Sequence, residues 1–397
     1  SSYGLKNPMV NGIGVTKTDL IRQLWLDNLY YGTNFSFQMK DENREIILGG
    51  GNSQYDGNHF GKIIWAQSGI FKDHRWYDLD AQKSEQHVIG KWMEKLGSFH
   101  LFGDLQLRNV NYAIEGFRNN PTLSIDKHWL FVNPKAGLRY TSGEYSSFIS
   151  YALANKEPNR DDFEAGTTDI PKHETLHDVE AGIERTGSKL KMSATVYHMR
   201  YNNQLVLTGK INDVGAYTRT NIPLSYRTGL EIEATLSISD RLHINNNLAL
   251  SSNKVKNHRE FYDDYDAGDQ KVDFFSTSNI AFSPAVVDNA TISYTLLKDL
   301  ETRLISKYVS RQYLDNTSRK DRSLAPYFTQ DLMVNYSLHP KRMKSIELIF
   351  QLNNIWNKWY APNGYTYTYK YGGELVRNNF YYPMAERNLM IGLNLNF

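Results

Sequence analysis

Two clusters carry residue types that could hold a metal. His173-Glu174-Thr175-Leu176-His177 spells the His-Glu-x-x-His pattern of zinc peptidases. That chemistry needs a helix, which puts residues i and i+4 on one face. Here Pro171 precedes the segment, and His177-Asp178-Val179-Glu180-Ala181-Gly182-Ile183 continues it as a strand. In extended chain the two imidazoles stand roughly 13 Å apart, too far to share one zinc. Asp263, Asp264, Asp266, Asp269 and Asp273 could offer carboxylate oxygens to calcium, but they lack EF-hand spacing and read as solvated loop charge. No phosphate-binding glycine loop, nucleophile elbow or kinase signature is present. The expectation is a protein with no catalytic residues, no metal and no cofactor.

Binding surface is what remains. Tyr365, Tyr367, Tyr369 and Tyr371 alternate with Thr366, Thr368 and Lys370. Trp76, Tyr77, Tyr262 and Tyr265 add rigid amphipathic rings in polar stretches. We take Trp76, Tyr77, Tyr262, Tyr265, Tyr365, Tyr367 and Tyr369 as the candidate ligand contacts. Packing or interfacial placement is the competing explanation for such tyrosines.

The elements that must position these residues are strands. Leu230, Ile232, Ala234, Leu236 and Ile238 alternate with Glu231, Glu233, Thr235 and Ser237. Ala290–Leu296, Ile346–Leu352 and Phe99–Leu107 repeat the period of two, and no apolar stripe runs at helical spacing over three turns. Short polar turns fall near Asp41–Asn43, Lys95–Gly97, Ser142–Glu144, Thr186–Ser188, Ser239–Arg241, Leu297–Asp299 and His339–Arg342. Between them lie long aromatic-rich stretches near 54–84, 113–127, 155–176, 206–224, 257–285, 312–326 and 358–385, with a short link at Asp27–Tyr30. This predicts about sixteen strands, with 17–27 and 31–40 as separate ones. Short turns at one end and long loops at the other describe an antiparallel up-and-down membrane barrel.

Composition agrees. The 397 residues carry 45 basic and 43 acidic side chains, so no nucleic acid or other polyanion is demanded as a partner. Cysteine is absent, which excludes a disulfide scaffold and a thiol enzyme. No apolar run is long enough for a membrane helix, whereas 27 Tyr against 18 Phe suits an all-β chain rich in amphipathic rings. The start, Ser1-Ser2-Tyr3-Gly4, is not a leader, so a mature chain or a fragment is expected.

Alternation does not say which face meets solvent. Charge does: Glu231, Glu233, Glu347, Arg108 and Asp104 are too much for a packed core. Sixteen strands would enclose roughly 30 Å, too wide for side chains to fill. Aromatics gather at strand ends, at Tyr30-Tyr31, Tyr327-Phe328, Trp356 and Trp359-Tyr360, as interfacial girdles do. The apolar face is therefore expected to meet lipid. The last strand, with Leu389, Ile391, Leu393, Leu395 and Phe397 on one face, has the form of a barrel-assembly signal.

Several blocks resemble the barrel of TonB-dependent outer-membrane receptors, especially Bacteroidetes-like ones. They are EPNRDD at 157–162, HDVEAGIER at 177–185, YHMRYNNQLV at 197–206 and SYRTGLEIE at 225–233. KYVSRQYLDNT at 307–317, FQLNNIWNKWY at 350–360 and YYPMAERN at 381–388 follow in the same order. The resemblance implies an all-β transmembrane barrel, about 16 strands of a 22-stranded one, with the plug domain and TonB-box region absent from this chain. It implies one N-terminally truncated barrel domain over 1–397 in the outer membrane of a Gram-negative bacterium. Implied partners are outer-membrane lipid, the missing plug with the TonB complex, and a small ligand such as a ferric siderophore or similar iron chelate. The rival expectations are a passive sixteen-stranded porin and a soluble all-β carbohydrate-binding protein, the latter with Ile232, Leu348 and Leu393 in a dry centre.

Overall fold

The computed structural model describes residues 3, 8–118, 120–165, 170–211 and 217–397. Its strands are β1 (Leu20–Lys40), β2 (Arg44–Ala66), β3 (His74–Leu96), β4 (Phe99–Phe117), β5 (Asn120–Ser142) and β6 (Tyr145–Lys156). The one helix among the described residues, α1 (Arg160–Ala165), follows. Then come β7 (Glu174–Thr186), β8 (Leu190–Ile211), β9 (Tyr217–Ser239), β10 (Leu242–Asp264), β11 (Asp269–Asn279), β12 (Val286–Leu297) and β13 (Leu300–Val309). The last are β14 (Tyr327–Leu338), β15 (Ser345–Asn353), β16 (Asn363–Tyr371), β17 (Glu374–Tyr382) and β18 (Asn388–Asn396). Two-residue ladders at Met9–Val10 with Ile13–Gly14, and at Gln312–Tyr313 with Ser323–Leu324, complete the set.

Compact packing divides the chain into two units. The first holds residues 1–94, 102–134 and 159–170, and the second holds 95–101, 135–158 and 171–397. In the first unit β1, β2 and β3 pair antiparallel in long ladders, from Lys40↔Glu45 to Leu20↔Ala66 and from Arg44↔Glu94 to Ile63↔His74. One face is apolar near the turn end, with Phe35, Phe37, Met39, Leu48 and Val88 exposed. The other joins Arg108 to Glu85 at 2.7 Å and Gln38 to Glu45 at 2.8 Å, while Arg44 meets Glu94 at 2.6 Å at the turn end of the apolar face. At its far end Phe163 of α1 packs with Ala81, Tyr112, Ile114, Phe117 and Ile125.

In the second unit each strand pairs with the next in an antiparallel meander: β6 with β7, β7 with β8, β8 with β9, and β9 with β10. The lower half of β10 pairs with β12 and its upper half with β11. The meander then continues through β13, β14, β15 and β18. β16 and β17 form a hairpin inserted between β15 and β18.

All seven short turns stand where the sequence puts them, within a residue or two. Gly97 and Gly143 turn the chain at φ 62° and 56°, and the Asp41 carboxylate accepts from the Asn43 and Arg44 N–H groups. The long stretches differ from expectation. Leu20–Lys40 is one strand, with Asp27↔Asn58 and Asn28↔Gly57 paired straight through the expected link. Most of 54–84, 206–224 and 257–285 is also ladder rather than loop. Polar side chains on both faces hide a strand from a hydropathy reading, but backbone pairing does not require an apolar face.

The apolar face stands exposed among the described residues: Leu348 is 42% and Leu393 57% exposed. A dry centre built from these residues, as the soluble rival requires, is not what the chain forms.

Candidate ligand-binding site

The tyrosines are positioned by carboxylates at the tip of β10. Asp264 accepts hydrogen bonds from the Asp266 and Ala267 N–H groups at 3.1 and 3.2 Å, which closes the tip. It also accepts from the Lys370 ammonium at 3.1 Å. Asp266 accepts from the Gly372 and Gly373 N–H groups at 2.7 and 2.8 Å. Both glycines lie at positive φ, 64° and 81°, so the hairpin turn that offers these donors needs them. Asp263 pairs with Tyr369 and Asp264 with Lys370 in a short parallel bridge. The acidic cluster is thus a clamp: Asp273 meets Arg319 at 3.3 Å and Asp269 meets Lys271 at 2.9 Å. Burial alone would raise the Asp264 carboxyl, but Lys370 and the two backbone donors hold it below the usual carboxylate range.

The clamp lays the β16–β17 hairpin along β10. Thr366 and Thr368 are its buried side. On the other side Tyr369 meets Tyr265 edge-on at 5.7 Å, Tyr367 meets Tyr365 at 5.6 Å, and Tyr365 stacks on Phe380 at 4.7 Å. Four of the seven candidates therefore stand as two ring pairs, with Tyr365, Tyr367 and Tyr369 in a line along one side of the strand. Tyr262 stands opposite Lys271 on the same ribbon, and no ring contact joins it to that line among the described residues. Trp76 and Tyr77 belong to the first unit. They meet at 5.3 Å over Gly61, where any Cβ would run into both rings, and Tyr3 closes on Trp76 at 5.3 Å.

Beneath the hairpin lies a buried ionic hub that the sequence did not reveal. The Arg322 guanidinium, 1% exposed, donates to Glu260 at 3.0 Å and to Thr368 at 2.9 Å, and faces Asp315 at 2.7 Å. Asp315 also accepts from the Thr317 hydroxyl and N–H at 2.6 and 3.0 Å. Burial opposes the Arg322 charge, yet Glu260 and Asp315 hold its pKa above the ordinary value. His258, on the same side of β10 as Glu260, is pushed below the usual histidine range by burial. No local pattern marks these residues; only Asp315 and Thr317 fall in a resemblance block.

β7 runs as a strand from Glu174, so His177 does not meet His173 across a helical turn as the zinc pattern requires. The terminal strand pairs with β15 through Leu352↔Leu389, Phe350↔Ile391, Leu348↔Leu393 and Ile346↔Leu395, and Phe397 lies exposed beyond it. The ring line offers flat apolar faces with phenolic hydroxyls, suited to stacking on and hydrogen bonding a large ligand.

A family model described as "TonB dependent receptor-like, beta-barrel" matches residues 27–355. The chain belongs to the TonB-dependent receptor β-barrel family. Solved structures of this family share its fold. The copper transporter OprC matches at TM-score 0.70 and 14% identity, over 95% of this chain and 57% of its own. The siderophore receptor PiuA from Acinetobacter baumannii matches at 0.67 and 14%, over 94% and 56%. The ferric yersiniabactin uptake receptor FyuA from Yersinia pestis matches at 0.62 and 12%, over 95% and 55%. This chain spans about half the length of those structures, and no plug-like domain stands among its described residues. No curated protein matches it. The receptors and transporters of the family are Gram-negative outer-membrane proteins, and none of these neighbours is titled as an enzyme.

Proposed function

We propose that this chain is the larger part of one receptor barrel domain, over 1–397, whose apolar face meets outer-membrane lipid and whose polar face lines a wet interior. The full protein then captures a scarce bulky nutrient, an iron chelate such as a ferric siderophore, and passes it inward through a plug moved by the TonB complex. The observation that carries this reading is the two ring pairs, Tyr265–Tyr369 and Tyr367–Tyr365, on a clamped hairpin within a family-matched chain. Structural neighbours titled as a ferric-catecholate import receptor and a ferric citrate transporter support the ligand class. Trp76, Tyr77 and Tyr262 are proposed as further contacts.

The test is tyrosine and tryptophan fluorescence of the refolded chain titrated with a ferric catecholate chelate and with ferric citrate. Saturable quenching by one of them, weakened about tenfold in Tyr369→Ala, agrees with the reading; an aromatic contact of this kind contributes about 1–1.5 kcal/mol. Equal quenching in both proteins would place the ligand elsewhere.

A further inference from the structure

On the apolar face of the second unit, cross-strand register orders the residues into rows. Ile149–Ala181–Val196–Leu230–Leu250 is the last wholly apolar row. One step farther from the short turns stands Tyr151–Val179–His198–Thr228–Ser252. The next is Leu153–His177–Arg200–Tyr226–Lys254, and after it comes Asn155–Thr175–Asn202–Leu224–Lys256. These three rows contain five basic side chains and no carboxylate.

Arrangement sets them apart from the other charges. On the polar face Arg139 meets Glu184 at 3.1 Å and Arg303 meets Glu301 at 2.8 Å. On this face Lys254 and Lys256 donate, among the described residues, only to the neutral Asn279 and Thr277, at 2.6 and 2.7 Å. Arg200 is exposed and makes no hydrogen bond or ion pair among the described residues. His177 stands directly opposite it. Arg200, Lys254 and Lys256 are like charges on one face and repel unless an anion comes between them. Three strand spacings place the row from His177 to Lys254 across about 14 Å, the width of a lipid headgroup rather than of a single small ion.

We propose that the row His177–Arg200–Tyr226–Lys254, with His198 and Lys256, is a docking site for a phosphate-bearing lipid headgroup in the leaflet on the long-connection side. The acyl chains then lie over Val196, Leu230 and Leu250 immediately below. This rests on the reading that the apolar face meets lipid, and adds to it a specific headgroup chemistry. Charge complementarity commits the site to lipid: the anion is recognised where hydrocarbon contact ends.

The experiment reconstitutes the full chain in phosphatidylcholine vesicles containing phosphatidylglycerol. Flotation scores insertion, and native mass spectrometry counts the anionic lipid retained after detergent extraction. Three proteins are compared: wild type, R200Q/K254Q, and R139Q on the polar face. The proposal expects all three to insert, R200Q/K254Q to lose roughly tenfold in retained phosphatidylglycerol, and R139Q to match wild type. Insertion with equal retention in all three overturns the lipid site and leaves the membrane reading standing. Displacement by millimolar inorganic phosphate overturns it in favour of a simple anion patch. Failure of wild type to insert overturns the membrane reading and this site with it.

Discussion

Arg322 shows how much one side chain holds together. It joins β10 through Glu260, the 310–326 connection through Asp315 and the hairpin through Thr368. Arg322→Met leaves two carboxylates facing each other without a counter-charge, at a cost of about 3 kcal/mol to the local fold. Limited proteolysis should then cut near 363–382 well before the strands nearer the short turns; unchanged resistance would deny the hub its role. His258 sets a pH dependence. Its folded pKa lies below the unfolded value of about 6.5, because burial disfavours the cation more than neighbouring Glu260 favours it, with Arg322 adding to the depression. The unfolded chain therefore binds the extra proton first. Its contribution is full above about pH 6.5 and is lost as pH falls below that value. Amide-exchange protection of β10's upper half should decline between pH 7 and 5 in wild type, and stay flat over that range in His258→Phe. Asp264 acts later. Its depressed pKa keeps its clamp through the usual carboxylate range and releases it only at still lower pH.

Among the elements, the short turns were legible because a tight turn demands particular residues: Asp41, Gly97 and Gly143 each supply a bond or a positive φ. The half of each strand next to those turns was legible too, since one face there is apolar and the other polar, which writes a period of two into the sequence. The apical halves were not. Residues such as Gln54, Asn58, Asp78 and Asp80 are polar on a paired ribbon, and hydropathy cannot separate that from a loop. The hairpin's tyrosines were visible, but which of them meet depended on a clamp between residues 106 and 107 positions apart, beyond any local pattern. Two changes probe the elements. Gly372→Val with Gly373→Val forces β-branched residues into left-handed backbone, costing about 1–3 kcal/mol each, and should free the hairpin and separate Tyr265 from Tyr369. A ring-contact signal unchanged by nuclear magnetic resonance would contradict the clamp. Leu393→Lys puts a charge on the apolar face of the last strand. It should lower the yield of folded protein in vesicles by about 2–4 kcal/mol of stability, whereas Asn394→Lys on the polar face should cost far less.

For the whole molecule, one asymmetry organises everything. Strand after strand carries an apolar face that stands exposed among the described residues and a polar face whose side chains are joined across strands, as Arg139 with Glu184 and Asn394 with Glu347. Asp288 is an exception on the apolar side, and the Asn246 amide donates to it at 2.7 Å. The sequence carried this asymmetry plainly, and with it the fold class; it did not carry the ring arrangement, because Tyr265 and Tyr369 are brought together from distant segments. The central claim is therefore about which face meets hydrocarbon. The chain has no cysteine, so single cysteines can be placed at will. Spin labels at Ile232→Cys, Glu233→Cys, Leu393→Cys and Asn394→Cys in vesicle-inserted protein, relaxed by oxygen and by a water-soluble nickel chelate, give the most direct reading. The account predicts oxygen access at 232 and 393, and nickel access at 233 and 394. The reverse pattern, or equal nickel access at all four, would contradict it.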